Sequence, residues 1–172
     1  MFEAAETERQ VSKEEYESEA SRLRWELLDA QRALGAARFP VIVLFGGVDG
    51  AGKSETVRLL NEWMDPRWIV NRAFETPSEE EAERPPFWRY WLALPPRGHV
   101  GLFLSAWYSQ PLSDRVRRRT GRAQFDAQLA RIAAFERTLA DDGALILKFW
   151  MHLGKSAQRK RLRALEGNPL TR

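Results

Sequence analysis

The chain has 172 residues, enough for one domain with a sizeable core. It contains no cysteine, which excludes a disulfide framework and any thiolate metal site. The opening MFEAAETERQ lacks the basic-then-apolar pattern of a secretory leader and no apolar run is long enough to span a bilayer, so a cytoplasmic location without membrane is expected.

Net charge is +3, unevenly spread. Nine acidic and four basic residues lie between Met1 and Gln31, whereas seven basic residues and Glu166 alone lie between Lys148 and Arg172. Arg115, Arg117, Arg118, Arg119 and Arg122 form a run without an acid. Such clusters suit a polyanion, or else a solvated helix face.

In chain order, Ser12 and Glu15 make a capping box ahead of an apolar stripe, Tyr16, Ala20, Leu23, Leu27, Ala30 and Leu34. This predicts a long helix that stops at Gly35 and docks on the domain's own core. Residues 1–38 are read as an N-terminal helical extension, and residues 39–172 as the main domain. Phe39 to Phe45 is a continuous apolar run with the character of a strand buried on both faces. A helix follows over Lys53 to Met64, broken by Asp65-Pro66. Trp68 to Phe74 is a weaker strand, Thr76 to Pro86 an acidic loop, Phe87 to Leu94 a short aromatic helix and Val100 to Leu104 a third strand. Arg122 to Ala140 reads as an amphipathic helix whose stripe is interrupted by Glu136. Ala144 to Trp150 reads as another buried strand and Lys155 to Leu165 as a helix, before the terminating Glu166-Gly167-Asn168-Pro169. Strands alternating with helices give an α/β fold: a three-layer sandwich, with a mostly parallel sheet covered by helices on both faces.

Gly47, Val48, Asp49, Gly50, Ala51, Gly52, Lys53 and Ser54 satisfy G-x-x-x-x-G-K-[ST] between the first strand and the first helix of the main domain. Gly47, Gly50 and Gly52 allow the backbone to turn successive N–H groups of the loop, Ala51 included, toward phosphate oxygens. The helix dipole adds to that field. Lys53 supplies a point charge to phosphate, and Ser54 a hydroxyl to Mg²⁺. Asp49 is unusual, because a carboxylate inside a phosphate cradle repels its ligand unless Mg²⁺ or a proton intervenes. It is expected either to bind Mg²⁺ or to orient an acceptor phosphate, the plainer alternative being an Asp that stabilises its own turn. Enzymes of this kind place a second acid at the end of a neighbouring strand. Here that strand ends in Leu104-Ser105-Ala106, with no carboxylate. His99 and His152 lack metal-ligand spacing.

Three blocks in order, the P-loop with its internal Asp, Arg84 to Gln110 and Gly143 to Leu162, resemble the second polyphosphate kinase family. Within it, the opening MFEAAE and Asn61 to Arg67 are most similar to the N-terminal half of the two-domain polyphosphate:AMP phosphotransferases. The resemblance implies transfer of the terminal phosphate of inorganic polyphosphate to AMP or another nucleotide, with Mg²⁺. It implies a P-loop kinase-like fold and roles for Asp49, Lys53 and Ser54. Active members carry F-D-R-S-W-Y where this chain has Phe103-Leu104-Ser105-Ala106-Trp107-Tyr108, so a Mg²⁺-linked acid and a phosphate-binding arginine are replaced. The family's basic lid is expected beyond the Lys155 to Leu165 helix, outside the 39–172 domain. The expectation is an impaired phosphotransferase domain, one that pairs with a second, homologous catalytic domain or forms a homo-oligomer.

Two other functions compete. One is a non-catalytic module that binds polyphosphate or stabilises a partner. The other is an ATP-dependent nucleoside monophosphate kinase, against which Asp49 and the three blocks argue. Nucleic acid is an unlikely partner, since no reading motif accompanies the arginines. Arg115, Arg117, Arg118 and Arg119 are candidates for a polyphosphate path. Trp107 and Tyr108 are read as packing beside the sheet in preference to bordering the acceptor, and Arg89 as an ion-pair partner.

Overall fold

A computed structural model describes residues 11–167. The opening MFEAAE and the segment from Asn168 onward lie outside them. Helix α1 spans Lys13–Ala36, and the Ser12 side chain accepts from the Glu15 amide at 3.1 Å. Strand β1 is Val41–Gly47, and α2 is Lys53–Trp63. A 3-10 turn at Pro66–Trp68 leads into β2, Ile69–Ala73. Next come α3 (Glu79–Glu83), α4 (Trp88–Trp91) and β3 (Val100–Leu104). The chain continues through α5 (Ser109–Val116), α6 (Arg122–Asp141), β4 (Leu145–Met151) and α7 (Lys155–Glu166).

The four strands form one sheet in the order β2-β3-β1-β4, with every pairing parallel. Alternation along β1 divides the core. Ile42 and Leu44 pack with Phe103, Trp107 and α6 residues Ile132, Phe135 and Leu139 on one face. Val43 and Phe45 pack with Leu102, Val57 of α2 and Leu34 of α1 on the other. Trp107 is 2% exposed, in agreement with a packing role.

Four expectations change. Residues 76–86 are not all loop, because Ser78 and Glu81 form a complete capping box that starts α3. Helix α5 was not anticipated; Pro111 lies in its first turn, where a missing N–H costs no intrahelical bond. The stripe of α1 docks only over its C-terminal half. Leu27 and Leu34 join the core beside Val57 and Leu60 of α2, while Tyr16 and Leu23, without core partners among the described residues, are exposed. Lastly, β4 is an edge strand and not a buried one: Leu145, Leu147, Phe149 and Trp150 are all exposed. Among the described residues, no helix is long and apolar enough to cross a membrane.

Candidate phosphate-binding site

Strand β1 delivers the chain into the loop, and α2 opens directly from it. Gly47, Gly50 and Gly52 all have positive φ (124°, 77° and 91°). Their reasons differ. A β-carbon on Gly47 would stand 2.0 Å from the backbone oxygen of Met151, so the residue lets β1 and β4 close tightly. Gly52 meets nothing within 4 Å and is required only for its left-handed conformation. It is also the N-cap of α2 and supplies no side-chain acceptor. The first-turn amides of α2 thus have no side-chain cap, the condition under which a helix start accepts an anion.

Lys53 begins α2 and turns back over the loop. Its Nζ donates to the carbonyls of Gly47 at 3.0 Å and Val48 at 2.8 Å, with the side chain only 16% exposed. The ammonium is therefore fixed inside the cradle instead of sampling solvent. Asp49 stands apart, its side chain 92% exposed and 3.7 Å from Lys53 Nζ. Its side chain makes no turn-stabilising hydrogen bond among those observed; its carbonyl accepts from Gln158 Nε2 of α7 at 3.0 Å. Helix α7 thus lies beside the loop, and Leu162 would be 3.6 Å from a β-carbon on Gly50. Ser54 is exposed, with its hydroxyl on the first turn of α2.

Topology opens a crevice at this place. The chain leaving β1 packs α2 on one face of the sheet, and the chain leaving the neighbouring β3 passes through α5 and packs α6 on the other. Ligands of open α/β sheets bind at the carboxyl ends of such a pair. Leu104 ends β3 there, and Ser105 follows with φ of 52°, a left-handed conformation uncommon outside glycine. Ser105 lines a cavity of about 220 Å³ together with Tyr90, Arg89, Ser109 and Ser113. Arg89 donates from Nη1 to the Glu75 carbonyl at 3.0 Å and lies 3.5 Å from Glu81, as its ion-pair reading required. Its Nε is buried without a hydrogen-bond acceptor. The sequence did not single out this serine-lined cavity, because Thr76, Ser105 and Ser113 belong to separate elements and share no spacing.

A polar network flanks the crevice on the α6 side. Trp107 Nε1 donates to Glu136 at 3.0 Å, and Lys148 Nζ donates to Glu136 at 2.8 Å and to the Tyr108 hydroxyl at 3.3 Å. The hydrogen bond to Glu136 raises the Lys148 pKa, and burial raises that of Tyr108. The interruption at Glu136 in the α6 stripe was the only sequence trace of this network.

The arginine run sits at the end of α5. Arg115 donates to the Thr120 carbonyl at 3.3 Å, Arg119 lies 3.8 Å from Asp114, and Arg118 adopts φ of 57°. These contacts belong to the α5–α6 turn rather than to the P-loop. Arg115, Arg117, Arg118 and Arg119 are all exposed.

As for a metal, no group of three or more His, Asp or Glu side chains among the described residues is arranged to hold one. The crevice offers the Asp49 carboxylate and the Ser54 hydroxyl. That small donor set fits Mg²⁺, which commonly takes one or two protein oxygens and completes its shell with substrate phosphates and water.

The profile of the family Polyphosphate kinase 2 matches residues 10–172. A polyphosphate:AMP phosphotransferase of Pseudomonas aeruginosa is 51% identical over 98% of this chain, which spans 34% of that relative. A GDP-polyphosphate phosphotransferase of Mycobacterium tuberculosis is 29% identical over 97% of the chain, which spans 57% of it. Among solved structures, a polyphosphate kinase 2 from Pseudomonas aeruginosa superposes with a TM-score of 0.89 at 51% identity, covering 94% of this chain and 36% of that one. One from Arthrobacter aurescens gives 0.83 at 26% identity, covering 94% and 59%.

Proposed function

The chain belongs to the polyphosphate kinase 2 family, and on that footing we propose that its P-loop grips inorganic polyphosphate, whose terminal phosphoryl passes to AMP. The observation that carries this reading is the loop itself. Lys53 is locked over the carbonyls of Gly47 and Val48 beneath helix-start amides that no side chain caps. A phosphate run laid there meets a fixed charge and preorganised N–H donors, with little reorganisation on binding.

In the transfer, an oxygen of the AMP phosphate attacks the terminal phosphorus of the chain. The new P–O bond forms as the bridging P–O bond breaks, leaving the chain one phosphate shorter with its oxygen anionic. Asp49 and Ser54 are the residues that would hold Mg²⁺, which offsets charge between phosphates when bound. The proposal includes impairment: at the end of β3 this chain presents the aliphatic Leu104 and neutral Ser105, so these two positions bring neither a carboxylate nor a guanidinium to the transferring group. Those same two residues favour a second reading, a domain that binds polyphosphate and supports a catalytic partner without turnover of its own.

The test is ADP formation from AMP and long-chain polyphosphate with Mg²⁺. Each absent electrostatic element typically costs about a hundredfold or more in rate, so the chain should fall far below ordinary turnover. A rate near 1 s⁻¹ or above, roughly the low end for enzymes, that vanished in Asp49→Asn would show that Leu104 and Ser105 are no defect.

A further inference from the structure

Helix α6 reaches past the sheet at the end where the P-loop lies. Leu145 opens β4 opposite Val41, and its amide donates to the Pro40 carbonyl at 3.0 Å, so α6 finishes at the amino edge of the strands and starts at their carboxyl edge. Its buried residues, Ile132, Phe135 and Leu139, all fall in its second half. Twenty residues of helix are about 30 Å long against roughly 20 Å for the seven-residue β1, so the first turns stand clear of the sheet. The arginine run leads into those turns, with five arginines and no acid from Arg115 to Arg122. The segment is braced from within. The amides of Arg117, Arg118 and Arg119 donate to the carbonyls of Ser113, Arg115 and Asp114 at 2.9, 3.2 and 2.8 Å. Arg115 holds the carbonyl of the buried Thr120, and Asp114 accepts from Gln110 at 2.9 Å while lying 3.8 Å from Arg119. Arg117 and Arg118, by contrast, have no acidic partner and no side-chain hydrogen bond among the described residues. Arg118 stands at φ of 57° just past the end of α5, a place that glycine usually takes.

Two adjacent unpaired guanidiniums on a braced turn repel each other, and an anion laid across them removes that repulsion. We propose that this turn is a second anchor for the phosphate chain, separate from the P-loop, and that it makes the domain prefer long polyphosphate to short. The proposal rests on polyphosphate binding at the P-loop. Along the chain from the crevice, Ser105 follows β3, α5 follows Ser105, and the turn ends α5. The eight residues of α5 alone span about 12 Å, more than three linked phosphates can bridge. A long chain can occupy both surfaces at once, and its second contact is then intramolecular and gains from high effective concentration. Arginine suits such a ligand, because its planar fork donates two hydrogen bonds to one phosphate. Nucleic acid fits less well, since no aromatic side chain lies between Asp114 and Gln124 on which a base could stack.

The experiment titrates the 172-residue chain with tripolyphosphate and with long-chain polyphosphate at one salt concentration, beside Lys53→Met and the double variant Arg117→Gln, Arg118→Gln. Both arginines are exposed and unpaired, so the double variant should keep its fold, which circular dichroism checks. Its affinity for the long chain should fall at least about tenfold, while its affinity for tripolyphosphate changes by less than about twofold. Equal losses on the two ligands would overturn the proposal, because the arginines would then act only as a diffuse field. No loss on either would overturn it as well and leave the run a solvated face. So would a single-stranded oligonucleotide that bound more tightly than polyphosphate and lost that binding in the double variant, which would identify nucleic acid as the occupant. Lys53→Met tests the P-loop separately: unchanged tripolyphosphate affinity there would remove the first anchor, and the two-point arrangement with it, whatever the arginine variant shows.

Discussion

Gly47 and Gly52 belong to one motif but are glycine for separate physical reasons. The motif gave both residues the same task, presentation of amides to phosphate. For Gly52 that agrees with its left-handed φ in open space. For Gly47 the decisive neighbour is Met151, on a strand far along the chain, and no reading of local spacing reveals that contact. Gly52→Ala should therefore cost only about 1–2 kcal/mol, the penalty for a side chain in the left-handed region. Gly47→Ala adds a backbone collision and should cost roughly 2–5 kcal/mol. Urea midpoints of the two variants check this, and equal losses would refute the β1–β4 explanation. Lys53 was legible by type and position. Its double hydrogen bond to loop carbonyls was not, since a motif names the residue and not its rotamer.

Elements were legible where a periodic pattern was strong and illegible where the local cue was short. The long helices α1 and α6 announced themselves, whereas α3 rests on one capping box and α5 on eight residues broken by Pro111. Missing α5 left the arginine run without a setting. Its exposure now makes a definite expectation: polyphosphate affinity should fall steeply with salt, and replacing Arg117, Arg118 and Arg119 by alanine should flatten that slope. An unchanged slope would show that the run contributes no phosphate contact. The network joining α6 to β4 makes another. Lys148 is held above its usual 10.5 by its hydrogen bond to Glu136, and Tyr108 above 10.0 by burial. Both groups bind their protons more tightly in the folded chain, so the stability they contribute is complete below about pH 10 and falls as pH rises through the shifted values. Denaturant midpoints across the alkaline range should show this fall, made shallower by Glu136→Gln. A Glu136→Gln chain with an unaltered alkaline profile would contradict the pairing.

At the scale of the whole molecule, strand–helix alternation was enough to predict a parallel sheet with helices on both faces. It could not tell which strand lies at an edge, because a parallel edge strand and a central one share the same continuous apolar run. Strand order supplies what alternation leaves out, and it is what places the P-loop beside the end of β3. The P-loop, with Lys53 and Asp49, thus lies at the same end of the sheet as Leu104 and Ser105. Equilibrium titration of the chain with polyphosphate at fixed salt, beside Lys53→Met, decides whether this loop is the polyphosphate-binding site proposed above. Circular dichroism establishes that the variant is folded. A dissociation constant at least about tenfold higher in Lys53→Met, equivalent to about 1.4 kcal/mol, is expected. Unchanged affinity in the folded variant would contradict it and move the phosphate-binding surface away from the P-loop.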